Sequence, residues 1–301
     1  METGKIVKAL SGFYYVRWEG GIAQCRARGR FRKDGVTPMV GDDVHIELTG
    51  DESGAVTEIL PRRNYFVRPA VANVDYLVIL TANVNPVTDP FLADRVAVIA
   101  EHVGCGVIIC INKCDLDRGD ELYAAFSNHT GYPVLHTSAV TGEGTEELIG
   151  LIRGKTVAFT GNSGVGKSSL LNCLEPALGL PVGEVSDRLG RGKHTTRHIE
   201  LFQVGETWIA DTPGFSSFDL TQMQRIRKEE LQNCFPEFRP YIGACRFDDC
   251  AHLREPGCAV LSALAEGKIA ETRHESYRRL YELAASRQDW EFAKTEKEKG
   301  S

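Results

Sequence analysis

The stretch Gly161-Asn162-Ser163-Gly164-Val165-Gly166-Lys167-Ser168 matches G-x-x-x-x-G-K-[ST]. No other feature of the chain restricts its fold as strongly. The loop follows the apolar run Val157-Ala158-Phe159 and opens onto Ser169-Leu170-Leu171, so a strand is predicted to turn through it into a helix. Glycines let successive backbone N–H groups wrap a β-phosphate, and the helix N-terminus adds partial positive charge. Lys167 should reach the β- and γ-phosphates, and the Ser168 hydroxyl should ligate Mg²⁺. Thr160 and Ser169 bracket the loop and join the predicted nucleotide contacts. The bland alternative is a glycine-rich strand–helix turn. The loop calls for a nucleoside triphosphate but does not choose the base.

Around it, apolar runs alternate with helical periodicity. Val74 to Ala82, Val107 to Ile111, Val134 to Thr137 and Thr156 to Thr160 read as buried strands. Leu92 to Val103, Glu121 to Asn128 and Glu146 to Ile152 read as helices. Such alternation predicts an α/β domain with a mostly parallel sheet.

Two short motifs fall at strand ends, where open α/β sheets bind ligands. In Asn112-Lys113-Cys114-Asp115 the Asp115 carboxylate can accept from guanine N1–H and N2–H₂ together. Adenine presents an acceptor at N1 instead, so the mispairing discriminates. Lys113 would lay its stem along the ring, and Asn112 would tie its strand to the phosphate loop. In Thr137-Ser138-Ala139 a backbone N–H of Ala139 could meet guanine O6. Ordinary strand-end chemistry is the competing explanation.

Asp211-Thr212-Pro213-Gly214 follows the apolar strand Trp208-Ile209-Ala210 and matches D-x-x-G. Asp211 would hold a Mg²⁺-bound water, and the Gly214 N–H would sense the γ-phosphate. Before it lies Leu189-Gly190-Arg191-Gly192-Lys193-His194-Thr195-Thr196-Arg197, glycine-rich, basic and hydroxyl-bearing. Thr195 or Thr196 is the candidate Mg²⁺ ligand, and the spacing does not choose between them. A flexible surface loop competes with this reading. Phe215 stands where many regulatory GTPases carry a Gln that orients the attacking water. Slow unaided hydrolysis is expected, with His194 or a partner placing the water.

Ras-like GTPases run phosphate loop, switch Thr, D-x-x-G, N-K-x-D, S-A. Here the last two precede the first. The set is complete but rotated, which is a circular permutation, tolerable because domain termini often lie close together. The D-x-x-G element thereby leads directly into the C-terminal segment, through which nucleotide state could pull on it.

In that segment Cys245, Cys250, His252 and Cys258 form C-x₄-C-x-H-x₅-C. Three thiolates and one imidazole suit tetrahedral Zn²⁺, and four protein ligands leave no open position, so one structural zinc per chain is expected. Chance proximity is the alternative. Cys234 is a weaker candidate, in an apparent helix. Cys25, Cys105, Cys110, Cys114 and Cys173 read as packing or incidental residues. Tyr277, Leu280, Tyr281 and Ala284 recur at i, i+3, i+4, i+7 and predict an amphipathic helix. Lys294 to Ser301 reads as a charged tail.

Residues 4–60 carry five short strand candidates punctuated by glycine turns, which suggests a small barrel, best matched by an OB-fold, with an SH3-like barrel as alternative. Arg26, Arg28, Arg30, Arg32 and Lys33 alternate and could share one face of a β segment, as RNA phosphate contacts require. A solvated strand face explains the same spacing. Phe13, Tyr14, Tyr15 and Trp18 could stack on bases, but core packing is the commoner use. Pro61 to Pro69, with Arg62, Arg63 and Arg68, reads as a linker. The net charge of −6 over 301 residues argues against coating of nucleic acid by the whole surface. It leaves room for docking through local basic strips. The chain holds no apolar run long enough to span a membrane and starts without a signal-peptide pattern, and its nine cysteines fit a reducing compartment. A cytoplasmic protein is expected.

Together these motifs resemble the ribosome small subunit-dependent GTPase family (RsgA, also called YjeQ or YloQ) over nearly the whole chain. The resemblance implies an N-terminal OB-fold RNA-binding domain at 1–64, a circularly permuted P-loop GTPase domain at 65–222 and a zinc-binding, mainly helical domain at 223–301. It implies a GTPase that binds GTP and GDP, docks on the 30S subunit and its 16S rRNA, is stimulated by it and acts late in its maturation. A monomer is expected. The family's switch histidine falls on His194, and its lack of the switch Gln agrees with Phe215. Two other function classes compete: a metal-handling protein that uses GTP to load metal, and a nucleotide-sensing RNA-binding scaffold. Against the first, the Cys/His set looks closed and there is no His-rich tract.

Overall fold

Short alternating strands and glycine turns build the first part of the chain as a closed barrel. In the computed structural model, residues 1–29, 31, 35–50, 52–67, 69–180, 199–211 and 226–286 are described. Strands β1 (Glu2–Leu10) and β2 (Phe13–Trp18) form a hairpin, followed by β3 (Gly21–Ala27), β4 (Asp43–Leu48) and β5 (Ser53–Ile59). Ser11 and Gly12 both take positive φ at the hairpin, as its two-residue turn requires. The strands run in the order β1-β2-β3-β5-β4, and β4 pairs back onto β1, so no edge is left open. Ile6, Val16, Ala23, Cys25, Val44, Ile46 and Val56 fill the interior. This is the OB-like barrel expected from the turn spacing.

Pro61 to Pro69, read from the sequence as a linker, connects the barrel to the next part, and it is packed rather than free. Residues 61–75 form a strap with the small hairpin β6 (Tyr65–Val67) and β7 (Ala70–Ala72). Arg62 grips the fully buried Asp42 of the barrel through Nε and Nη2, at 2.7 and 2.8 Å. Asn73 donates to the Gly41 carbonyl, and Arg63 pairs with Asp75 at the start of the next domain. Arginines in a proline-bounded stretch look solvated until their carboxylate partners fold against them.

The following part alternates as predicted: β8 (Tyr76–Thr81), α1 (Pro90–Val103), β9 (Gly106–Asn112), α2 (Asp120–Ser127), β10 (Val134–Thr137), α3 (Thr145–Ile152), β11 (Thr156–Gly161), α4 (Lys167–Leu174), β12 (Glu200–Val204) and β13 (Thr207–Asp211). Helix α1 has strong punctuation. Asp89 caps its N-terminus by accepting from the Phe91 N–H, Pro90 opens it, and Gly104 ends it in the left-handed region. The sheet order is β10-β9-β8-β11-β13-β12, parallel except for β12. The carboxyl ends of β9, β10, β11 and β13 therefore share one edge. Strand β12 pairs antiparallel with β1 of the barrel at Glu200 and Lys8, which joins barrel and sheet into one eleven-stranded surface, and the side chains of that pair form an ion pair of 2.8 Å.

The C-terminal part is helical: α5 (Lys228–Leu231), 3₁₀ turns at Gln232–Cys234 and Pro236–Tyr241, α6 (Ala259–Ala265) and α7 (Glu271–Ala285). Leu231, Phe235, Phe238, Tyr277 and Leu280 make its core. It packs on α1 through buried charge as well as apolar surface. Arg273 reaches Asp94 of α1 and Glu237, and Arg239 donates to Glu101 of α1 at 2.5 Å. Arg279 lies 3.7 Å above the Phe91 ring. The sequence reading linked this part to the nucleotide site only through the backbone after D-x-x-G; the seam on α1 is a second link. Among the described residues no helix is long and apolar enough to cross a membrane.

Candidate functional site

The phosphate loop leaves β11 and enters α4 as predicted. Gly161, Gly164 and Gly166 all carry positive φ. A Cβ at Gly166 would stand 2.4 Å from Asn112 Nδ2, so this glycine is required by close approach as well as by conformation. Val165 is fully buried and anchors the loop. Gly166 caps α4 with no side-chain hydrogen bond, so no side chain at the cap takes up the helix's first N–H groups. Lys167 and Ser168 open the helix.

Asn112 ends β9 and bridges two elements. Its Nδ2 donates to the Val165 carbonyl at 2.8 Å, and its Oδ1 accepts from the Thr137 hydroxyl at 3.2 Å. The expected tie between this strand and the phosphate loop is therefore present, and Thr137 extends it to β10. Lys113 adopts a left-handed conformation that turns the chain out of the sheet, and its Nζ donates to the Asn85 carbonyl at 2.6 Å. Asp115 is oriented by Ser138, whose hydroxyl donates to Oδ1 at 2.6 Å while accepting from the N–H groups of Val140 and Thr141. One serine thus ties the loop after β9 to the loop after β10. Cys114 is buried, and burial pushes its thiol up to about 11, so it packs rather than reacts. A second clasp, Arg118 to Glu143 at 3.0 Å, crosses the same two loops. Ala139 follows Ser138 at the strand end.

Asp211 closes β13, the neighbour of β11. The D-x-x-G motif therefore starts beside the phosphate loop. Gly214, Phe215, His194, Thr195 and Thr196 lie outside the described residues, as do Arg30, Arg32 and Lys33. Strand β3 ends at Ala27, so the expected β alternation reaches Arg26 but not Arg28. Arg26 sits 4.6 Å over the Phe13 ring, and Arg28 pairs with Glu47. Phe13, Tyr14, Tyr15 and Trp18 are half-buried, between the core and stacking roles weighed for them.

The four Cys/His residues converge although up to thirteen positions separate them. Their ligand atoms all lie within 4.8 Å of one another. Cys245 and Cys258 Sγ are 3.9 Å apart, and His252 Nδ1 stands 3.5 and 3.3 Å from them. A tetrahedral ion with metal–sulfur bonds of about 2.3 Å has sulfur–sulfur edges of about 3.8 Å, so the donor set fits such an ion. Backbone N–H groups of Ala259 and Leu261 donate to the Cys245 and Cys258 sulfurs, as thiolates require. Cys234 does not join them: its thiol donates to the Glu230 carbonyl, and burial pushes it up to about 12.

Sequence reasoning missed Gln232, whose Oε1 faces His252 Nε2 at 2.7 Å, and the Arg273 network. A signal for the latter existed. Arg273 and His274 precede Tyr277 by four and three residues, on the face already assigned to the core.

The comparisons agree with this arrangement. The family model described as RsgA GTPase matches residues 59–221, and that described as RsgA N-terminal domain matches residues 3–56. The chain is 47% identical over 287 residues to "Small ribosomal subunit biogenesis GTPase RsgA" of Bacillus anthracis, covering 94% of this chain and 97% of that one. It is 44% identical over 277 residues to the protein of the same name from Caldanaerobacter subterraneus, covering 91% and 92%. Among solved structures it resembles YjeQ from Thermotoga maritima, with a TM-score of 0.82 at 34% identity, over 95% of this chain and 99% of that one. It also resembles YloQ, described as a circularly permuted GTPase, with a TM-score of 0.78 at 38% identity over 96% of each. With strand order, motif positions and whole-length similarity in agreement, the chain belongs to the RsgA GTPase family.

Proposed function

We propose that this protein hydrolyses GTP to GDP and phosphate and acts in maturation of the small ribosomal subunit. The observation that carries the reading is the Asn112–Val165 hydrogen bond together with Ser138–Asp115, which assemble the base-reading and phosphate-binding elements at one sheet edge despite their rotated order. Names of relatives across nearly the whole chain supply the ribosomal context.

In this reading Asp115 accepts guanine N1–H and N2–H₂, the Ala139 N–H meets O6, and Lys113 lies along the ring. The residues from Thr160 to Ser169 hold the phosphates. Water attacks the γ-phosphorus in line, the bond to the β–γ bridging oxygen breaks, and GDP leaves with the electron pair. Lys167 stabilises charge on the phosphate oxygens. Ser168, Asp211 and Thr195 or Thr196 would hold Mg²⁺, which supplies further charge stabilisation when bound. Gly214 senses the γ-phosphate, and His194 or the ribosome places the water, because Phe215 has no group to do so.

The metal at Cys245, Cys250, His252 and Cys258 is zinc in a structural role, since four protein donors leave no open position. The domain division is 1–64, 65–222 and 223–301, and the protein works as a cytoplasmic monomer. The barrel contacts 16S rRNA. Support comes from a groove of about 730 Å³ lined by Phe13, Tyr14, Arg26 and Arg28, which combines ring faces with cations as strand-binding grooves do.

The test is GTP turnover with and without purified small subunits. Marked stimulation is expected, and Lys167→Ala should abolish it. Equal turnover in both conditions would remove the ribosomal part of the reading, and full turnover in Lys167→Ala the catalytic part.

A further inference from the structure

A histidine can bind a metal only through a nitrogen that carries no proton, and its neutral ring holds one proton on either nitrogen. In His252 the nitrogen facing the sulfurs is Nδ1, at 3.3 Å from Cys258 and 3.5 Å from Cys245. His252 is 2% exposed, so bulk water does not arbitrate between the two forms. A proton on Nδ1 would point into the trio of sulfurs and bar the ion. The proton must therefore be held on Nε2, by an acceptor.

The acceptor is Gln232. Its Oε1 stands 2.7 Å from His252 Nε2. An amide could in principle turn its NH₂ toward the ring, but the other end is committed: Gln232 Nε2 donates to the Glu229 carbonyl at 3.2 Å. The helical turn α5 thus orients the amide, the amide orients the proton, and the proton leaves Nδ1 free. The rest of the ring's surroundings hold its backbone. His252 has a left-handed φ of 58°, its carbonyl accepts from His274 Nε2 at 2.8 Å, and the adjacent Ala251 carbonyl accepts from the Tyr277 hydroxyl at 2.9 Å. Both donors come from α7. None of these bonds touches the ring nitrogens, so Gln232 alone, among the described residues, chooses the tautomer.

We infer that Gln232 is the positioning residue of the metal centre: it fixes His252 as an Nδ1 ligand from outside the Cys245–Cys258 loop. The inference rests on the metal-centre reading of those four residues. Gln232 begins the 3₁₀ turn between the buried Leu231 and Cys234, in the segment that packs on α1. The histidine is consequently set by the seam between the C-terminal and GTPase parts, not by the metal loop itself. Partners that hold the second nitrogen of a ligating histidine typically change metal affinity by about 10–100-fold when removed.

The experiment uses the full-length chain, stripped of metal, with Zn²⁺ as probe and a chromophoric chelator as competitor. Gln232→Leu removes the acceptor at similar volume, and Gln232→Glu keeps one. Zinc affinity should fall about 10–100-fold in Gln232→Leu and stay at or above the original in Gln232→Glu. Nitrogen chemical shifts of ¹⁵N-histidine-labelled, zinc-loaded parent protein should place the metal on Nδ1 and the proton on Nε2 of His252. An unchanged affinity in Gln232→Leu, or zinc on Nε2, would overturn the inference. If Gln232→Leu fails to fold, the chemical shifts and Gln232→Glu decide. Failure of the parent chain to bind Zn²⁺ would instead overturn the metal-centre reading beneath it.

Discussion

Asn112 Nδ2 donates to the Val165 carbonyl over 2.8 Å, joining the end of β9 to the glycine-rich loop between β11 and α4. Both groups are buried, so neither finds water if the bond is lost. Asn112→Ala should leave the Val165 carbonyl and the Thr137 hydroxyl without their partner, at a cost of about 1–3 kcal/mol. GDP affinity, measured by titration with a fluorescent analogue, is expected to fall about tenfold or more. An unchanged affinity would mean that the two elements hold their places independently.

Asp115 is aimed by Ser138, and in the proposed function it contacts the guanine N1–H and N2–H₂ edge. Asp115→Asn replaces one acceptor by a donor. Affinity for GTP should drop by about 10²-fold or more, while a xanthine nucleotide, whose C2 oxygen accepts, should bind better than GTP. Competition between the two nucleotides measures this directly. Ser138→Ala should weaken GTP binding more mildly, because it releases the carboxylate without removing it.

Arg273 carries the seam between α7 and α1. Its Nη1 lies 2.6 Å from Asp94 Oδ1 and its Nε 2.6 Å from Glu237 Oε1, with all three side chains about 1% exposed. Arg273→Met strands two buried carboxylates and should cost about 3–5 kcal/mol in chemical denaturation. Replacing Arg273, Asp94 and Glu237 together by apolar residues should recover most of that loss. If the single change costs nothing, the network does not hold the seam.

Asp75 predicts a pH dependence. Its burial favours the neutral acid, but the Arg63 guanidinium and the Thr156 N–H at 2.7 Å outweigh this and hold its carboxyl below the ordinary carboxylate range. The folded state therefore binds its proton less readily than the unfolded chain does. Its contribution is present above about pH 4 and is lost as the pH falls through the folded-state value. Asp75→Asn should lower stability at pH 7 and flatten the acid limb of stability against pH. Parallel acid limbs in both proteins would contradict the assignment.

Much of the fold was legible because its signals are local. Five strands of the barrel, the alternating α/β units and the phosphate loop follow from side-chain periodicity and from glycine at turns. The ion pairs that pack the arginine strap were not legible, for a reason that is equally physical. Arg62 and Arg63 are separated from Asp42 and Asp75 by twenty and twelve positions, and nothing in their own neighbourhood marks them as paired. Arg273 differs in part: its place on the core face of α7 signals burial, but nothing near it names its partner Asp94, 179 positions away.

The order of the motifs, by itself, determined that the GTPase fold is rotated, because each motif must sit at a strand end and strands are read in chain order. The spacing of Cys245, Cys250, His252 and Cys258 marked them as a candidate donor set, and the fold brings their ligand atoms within 4.8 Å of one another, as holding a metal ion requires. Only the tertiary structure decided what orients those groups: Ser138 for Asp115, Gln232 for His252, and Arg273 for the seam. Hydrogen bonds and ion pairs depend on angles and on ångström distances between side chains far apart in the chain, and periodicity carries no information about those.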